Sequence, residues 1–159
     1  MKETRIIIAG YGGQGILLLG KIFAEAAMHE GKYVTFLPAY GAEVRGGTAN
    51  CMVVVSDREV GSPFVGRADV LAVMNDPSLQ RFYGQLKPAG MLIVNSSLAQ
   101  PPAGRRIALD SHPFTDIAIR LGNVRAANMV ALGCLAARTG LVKLGTIAAA
   151  LPYTLTPGA

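Results

Sequence analysis

A chain of 159 residues, 51% of them apolar, is long enough to bury a sizeable hydrophobic core and suits one domain over 1–159. Its formal charge of +5, from 15 Lys+Arg against 10 Asp+Glu, is scattered without a basic run or interleaved aromatics, which speaks against nucleic acid and fits an anionic ligand or an acidic partner. Lys21, Glu25 and Arg138 interrupt the apolar stretches, "MKETR" is not a secretory leader, and two cysteines are too few for an iron–sulfur cluster or a cysteine-rich zinc site, so a cytoplasmic chain with no membrane span and with buried, reduced thiols at Cys51 and Cys134 is expected.

In chain order, Arg5–Ala9 reads as a buried first strand and Gly10–Gly15 as a loop. Ile16, Leu19, Phe23, Ala26 and Ala27 recur at helical spacing, which predicts a helix from Ile16 to His29, stopped at Gly31. Tyr33–Leu37 is a second strand, completing a strand–helix–strand opening. Pro38–Thr48 is too rich in glycine for a regular element. Ala49–Ser56 reads as a strand forming a hairpin with a short segment at Val60, so the sheet is partly antiparallel. Val70–Met74 is the next buried strand, and Pro77–Leu86 a short helix capped by Asn75 or Ser78. Lys87–Gly90 reads as a turn, and Met91–Val94 and Ile107–Asp110 as the last strands. Helices are expected over His112–Leu121, Val124–Thr139 and Leu141–Leu151. This alternation defines an α/β chain, a three-layer Rossmann-like domain with a mainly parallel, partly mixed sheet.

Gly10, Gly12 and Gly15 form G-x-G-x-x-G between a strand and a helix, and Gly13 and Gln14 complete the loop. Small residues let backbone approach a ligand, and a helix N-terminus offers free N–H groups to an anion. A dinucleotide site also wants an acid at the end of the second strand, but "FLPAY" has none, and Glu30 precedes that strand. Another phosphate, a partner's backbone, or a turn that only packs the helix onto the sheet remain open.

"YGAEVRGG" follows the second strand, so Tyr40, Glu43 and Arg45 should face the same crevice as the glycine loop. Arg45 could hold a carboxylate or phosphate in bidentate fashion, or pair with Glu43, and Gly41, Gly46 and Gly47 permit unusual backbone beside them. Asn75 follows a buried strand, as a crevice residue or a helix cap. Asp110 and His112 could pair on one loop, but nothing sets a substrate beside them. Neither histidine has a nucleophile at telling spacing, and no Walker loop, nucleophile elbow or metal-ligand cluster occurs.

"GYGGQGILLLGK", "PAYGAEVRGGTANCMVVVSD", "VGSPFVGRADVLAVMN", "KPAGMLIVNSSL" and "NMVALG" follow one another in the order of one family. Over about residues 5–150 the chain resembles the gamma subunit of the 2-oxoacid:ferredoxin oxidoreductases. The resemblance implies a non-catalytic, Rossmann-like subunit of a complex that converts a 2-oxoacid and coenzyme A to acyl-CoA and CO2 while reducing ferredoxin. It implies alpha, beta and delta partner subunits carrying thiamine diphosphate, magnesium and the iron–sulfur clusters, and a chain that is inactive alone. It implies 2-oxoglutarate ahead of pyruvate or ketoisovalerate as substrate. Gly10, Gly12, Gly13, Gln14 and Gly15 match the family's first loop, and Tyr40, Gly41, Glu43, Arg45, Gly46 and Gly47 its second. Both are expected at the coenzyme A access or against partner subunits. Family members run past "LPYTLTP" into a further helix, so a short or truncated C-terminal tail is expected.

Overall fold

Ile6, Ile7 and Ile8 are all fully buried, because β1 (Glu3–Tyr11) runs through the middle of a sheet covered on both faces. The computed structural model describes residues 2–39, 48–104 and 106–155. After β1 come α1 (Ile16–His29), β2 (Tyr33–Ala39), β3 (Thr48–Ser56), β4 (Ala68–Val73), α2 (Asp76–Phe82), β5 (Leu86–Asn95), β6 (Ala108–His112), α3 (Phe114–Arg120), α4 (Ala127–Thr139) and α5 (Leu144–Thr154). The six strands are ordered β2-β3-β1-β4-β5-β6. Three pairings are parallel (β1–β4, β4–β5 and β5–β6), and β3 is antiparallel to both neighbours.

Side chains alternate across the pleat and divide the core in two. Ile6, Ile8, Cys51, Val53 and Ile93 pack under α1, α3, α4 and α5. Ile7, Ala9, Val54, Leu71 and Leu92 pack with Leu79 and Phe82 of α2 on the other face. The glycine stop of α1 is a complete Schellman turn: Gly31 N–H donates to Met28 O (2.9 Å) and Lys32 N–H to Ala27 O (3.1 Å).

Several expectations need correction. The strand after the second loop makes no hairpin with Val60, since residues 57–67 contain no strand. Instead β3 inserts between β1 and β2, so the strand–helix–strand opening joins two strands that do not touch. Lys87–Gly90 is not a turn but part of β5, where the ladder shifts register between the Ala68 and Val70 pairings; that irregularity accommodates Pro88 and Gly90. Pro38 lies within β2, an edge strand, where a missing N–H costs no ladder bond on the free side. Val124–Ala126 is a 3-10 turn before α4, and the last helix begins at Leu144. Asp110 and His112 stand on β6 rather than on a loop. Cys134 is only half-buried, because it stands on the less covered side of α4.

Candidate functional site

The chain leaves β1 through α1 toward the β2 side, whereas β4 connects through α2 toward β5 on the other side. Adjacent strands whose crossovers diverge leave a crevice at their carboxyl ends, where α/β sheets bind ligands. The glycine turn after β1 and Asn75 after β4 both lie at that edge.

β1 extends farther than the apolar run alone predicts, so Gly10 is its penultimate residue and only Gly12, Gly13, Gln14 and Gly15 form the turn. Gln14 is folded back into it. Its Oε1 accepts the Tyr11 N–H at 2.6 Å, while its own N–H donates to Tyr11 O at 3.2 Å. A Cβ on Gly10 would come within 2.6 Å of both Gln14 Oε1 and Ile16 Cδ1, so a larger residue there would push these side chains out of their places in the turn. Gly15 caps α1 in the left-handed region (φ 71°, ψ 32°), with no side chain bonding the first turn. The N–H groups of Ile16, Leu17 and Leu18 therefore have no intrahelical acceptor, and they present the positive end of a 14-residue helix.

Asn75 caps α2: its Oδ1 accepts the Ser78 N–H at 2.9 Å, and the residue is 1% exposed. Its Nδ2 and Ser78 Oγ are buried without a hydrogen-bond partner among the described residues. Tyr40, Gly41, Glu43, Arg45, Gly46 and Gly47 lie outside the described residues. The strands that flank them are described: Thr48 is the register partner of Tyr11, and Ala39 that of Asn50. The second loop is thus joined to the sheet at the edge that carries the glycine turn.

Three residues not singled out from sequence converge on this edge. Arg81 of α2 donates from a terminal guanidinium nitrogen to Thr48 Oγ1, with its guanidinium 5.1 Å from the Phe82 ring centroid. Asn95, fully buried at the end of β5, donates through Nδ2 to Met74 O (3.0 Å) and Thr115 Oγ1 (2.9 Å), and its Oδ1 accepts the N–H groups of Ser97 and Thr115. It thereby fixes the start of α3 against the end of β4. Asn128 of α4 donates through Nδ2 to Gly15 O at 3.2 Å. Only "NSSL" and "NMVALG" flagged the last two, and neither stretch says what its asparagine binds.

Glu30 is turned to another task at the opposite end of α1. It accepts the Lys143 N–H and the Thr146 hydroxyl, both at 2.7 Å, and so caps α5. Those bonds, the Thr146 hydroxyl first, hold its carboxyl below the ordinary value of 4.5. It is not available as a ribose acid. A cavity of about 190 Å³ at that opposite edge is lined by Lys2, Lys32 and Asp57, among others; Lys32 Nζ is bound to Asp57 at 2.6 Å.

No group of three His, Cys, Asp or Glu among the described residues could hold a metal. Cys51 is fully buried, and burial pushes its thiol up to about 12. Asp110 accepts His112 Nε2 at 3.1 Å and Arg138 Nε, which ties β6 to α4. No helix among the described residues is long and apolar enough to cross a membrane.

Fold and edge together define a three-layer Rossmann-like protein with a self-filled glycine turn at its crevice. Residues 5–157 match the family described as pyruvate ferredoxin/flavodoxin oxidoreductase, and the chain belongs to it. It is 44% identical over 135 residues to ketoisovalerate oxidoreductase subunit VorA of Methanothermobacter thermautotrophicus, covering 85% of this chain and 28% of that protein. It is 39% identical to 2-oxoglutarate synthase subunit KorC of Archaeoglobus fulgidus, covering 88% of this chain and 73% of the relative. The fold matches the gamma subunit of a keto/oxoacid ferredoxin oxidoreductase from Geobacter sulfurreducens with a TM-score of 0.82 and 30% identity, over 94% of this chain and 85% of the other. The chain thus spans little more than a quarter of the VorA proteins it matches, and most of the KorC and gamma chains.

Proposed function

We propose that the chain is the non-catalytic gamma-type component of a 2-oxoacid:ferredoxin oxidoreductase that forms acyl-CoA and CO2 from a 2-oxoacid and coenzyme A. It works with alpha, beta and delta subunits and with ferredoxin as electron acceptor. Thiamine diphosphate and magnesium on the partners supply the carbon chemistry there, and iron–sulfur clusters on the partners carry the electrons. This chain contributes one wall of the coenzyme A access and a docking edge for the partners.

The observation that carries the reading is the glycine turn. It presents the free N–H groups of α1 to an anion while Gln14 fills its interior. The phosphates of coenzyme A suit such an edge, and Tyr40, Gly41, Glu43, Arg45, Gly46 and Gly47 are proposed to complete it, with Asn75 behind. A stand-alone dinucleotide module is the alternative, favoured by G-x-G-x-x-G alone. Gln14 Oε1 on the Tyr11 N–H, the absence of an acid at Ala39 and the engagement of Glu30 with α5 all weigh against it. Calorimetry with NAD, NADP and coenzyme A separates the two. Tight binding of NAD by the chain alone overturns the proposal, and so does full activity of the complex without the chain.

A further inference from the structure

Asn128 stands in the first turn of α4 and is 6% exposed. Its helix is anchored by Ala131, Leu132, Leu135 and Ala136 in the same core as α1, so its side chain projects from a rigid element. The Nδ2 bond reaches Gly15 O across 113 residues of sequence. A Cβ on Gly15 would sit 2.2 Å from that Nδ2, so the asparagine and the glycine are matched in space. Gly15 O also accepts the Leu19 N–H at 3.0 Å. The carbonyl is therefore held from two directions.

A trans peptide is planar, and its C=O and N–H point in opposite directions. The Leu19 and Asn128 bonds together therefore fix the plane of the Gly15–Ile16 peptide, and with it the orientation of the Ile16 N–H, the first donor of α1 without an intrahelical acceptor. We infer that Asn128 is a positioning residue: it fixes the glycine turn so that the N–H groups of α1 meet the phosphates of coenzyme A. The inference rests on the proposed function and assigns the turn's geometry to one buried amide on another helix.

The test uses the assembled complex carrying Asn128→Ala or Asn128→Asp, with Gln14→Glu as a control that places a negative charge at the same mouth. Losing one such hydrogen bond raises the KM for coenzyme A about three- to tenfold, leaves the KM for the 2-oxoacid within about twofold, and narrows the preference for coenzyme A over phosphate-free pantetheine. Asn128→Asp keeps the volume and turns a carboxylate oxygen toward the Gly15 carbonyl, so its effect is the larger. Equal rises in both KM values, an unchanged preference over pantetheine, or failure of both variants to assemble overturns the inference, because the residue then serves only the fold. If Gln14→Glu raises the KM for coenzyme A and the Asn128 variants do not, the positioning role falls and the proposed function stands. If none of the three changes it, the proposed function itself falls.

Discussion

Gln14 Oε1 accepts the N–H of Tyr11 at 2.6 Å, so the side chain of the glycine turn occupies one of the donors that a phosphate would otherwise receive. Gln14→Glu keeps the acceptor and the volume but adds a negative charge beside the N-terminus of α1. That charge favours the helix and repels an anionic ligand. The melting temperature is expected to hold or rise while the KM for coenzyme A increases about tenfold. A fall in stability with an unchanged KM would show the turn to be packing alone.

Gly15→Ala forces a side chain into the left-handed region and against Asn128. The cost is about 2–3 kcal/mol, read as a shift in the urea midpoint. Adding Asn128→Ala removes the collision but not the strained dihedral, so the double variant should recover part of that loss. Purely additive losses would argue against the contact.

Asn95→Leu leaves Met74 O and the N–H groups of Ser97 and Thr115 without the partner they have now, all at the junction of β4, β5 and α3. Destabilisation of about 3 kcal/mol is expected by chemical denaturation. A near-neutral result would mean that α3 is held by Phe114 and Ala118 alone.

Glu30→Ala should lower stability by about 1 kcal/mol at neutral pH, since the carboxylate is partly exposed. Because its folded value is depressed below 4.5, its contribution is present above pH 4.5 and is lost as the pH falls through the folded value. The gap between wild type and variant therefore narrows on acidification. A gap that widens below pH 4.5 contradicts the cap on α5.

Cys51, with its thiol pushed up from 9.0 to about 12, should hold about a thousandfold less thiolate than in the unfolded chain. Iodoacetamide at pH 8 should modify it only after unfolding in urea, and should reach the half-buried Cys134 first. Modification of Cys51 at the native rate of an exposed thiol would contradict the packing of α1 on β3.

Local signals were readable in the sequence where local physics decides them. The limits of α1 follow from apolar spacing and from Gly15 and Gly31, and both buried isoleucine faces of β1 follow from an unbroken apolar run. The insertion of β3 between β1 and β2 was not readable, because a strand following a strand reads as a hairpin until the long-range pairing of Thr48 with Tyr11 is seen. Pro88 and Gly90 read as a turn because their tolerance in β5 depends on a register shift set by β4. At the candidate site, the glycine turn was legible as a motif. The engagement of Glu30 with α5, and the reach of Arg81 and Asn128 to Thr48 and Gly15, exist only after distant segments meet.

The most direct test of the central claim is coenzyme A-dependent oxidation of a 2-oxoacid, coupled to ferredoxin reduction, by the purified complex prepared with and without this chain. No turnover is expected from the chain alone, and coenzyme A-dependent turnover is expected to be lost when the chain is left out and recovered when it is restored. Undiminished turnover without the chain would contradict it.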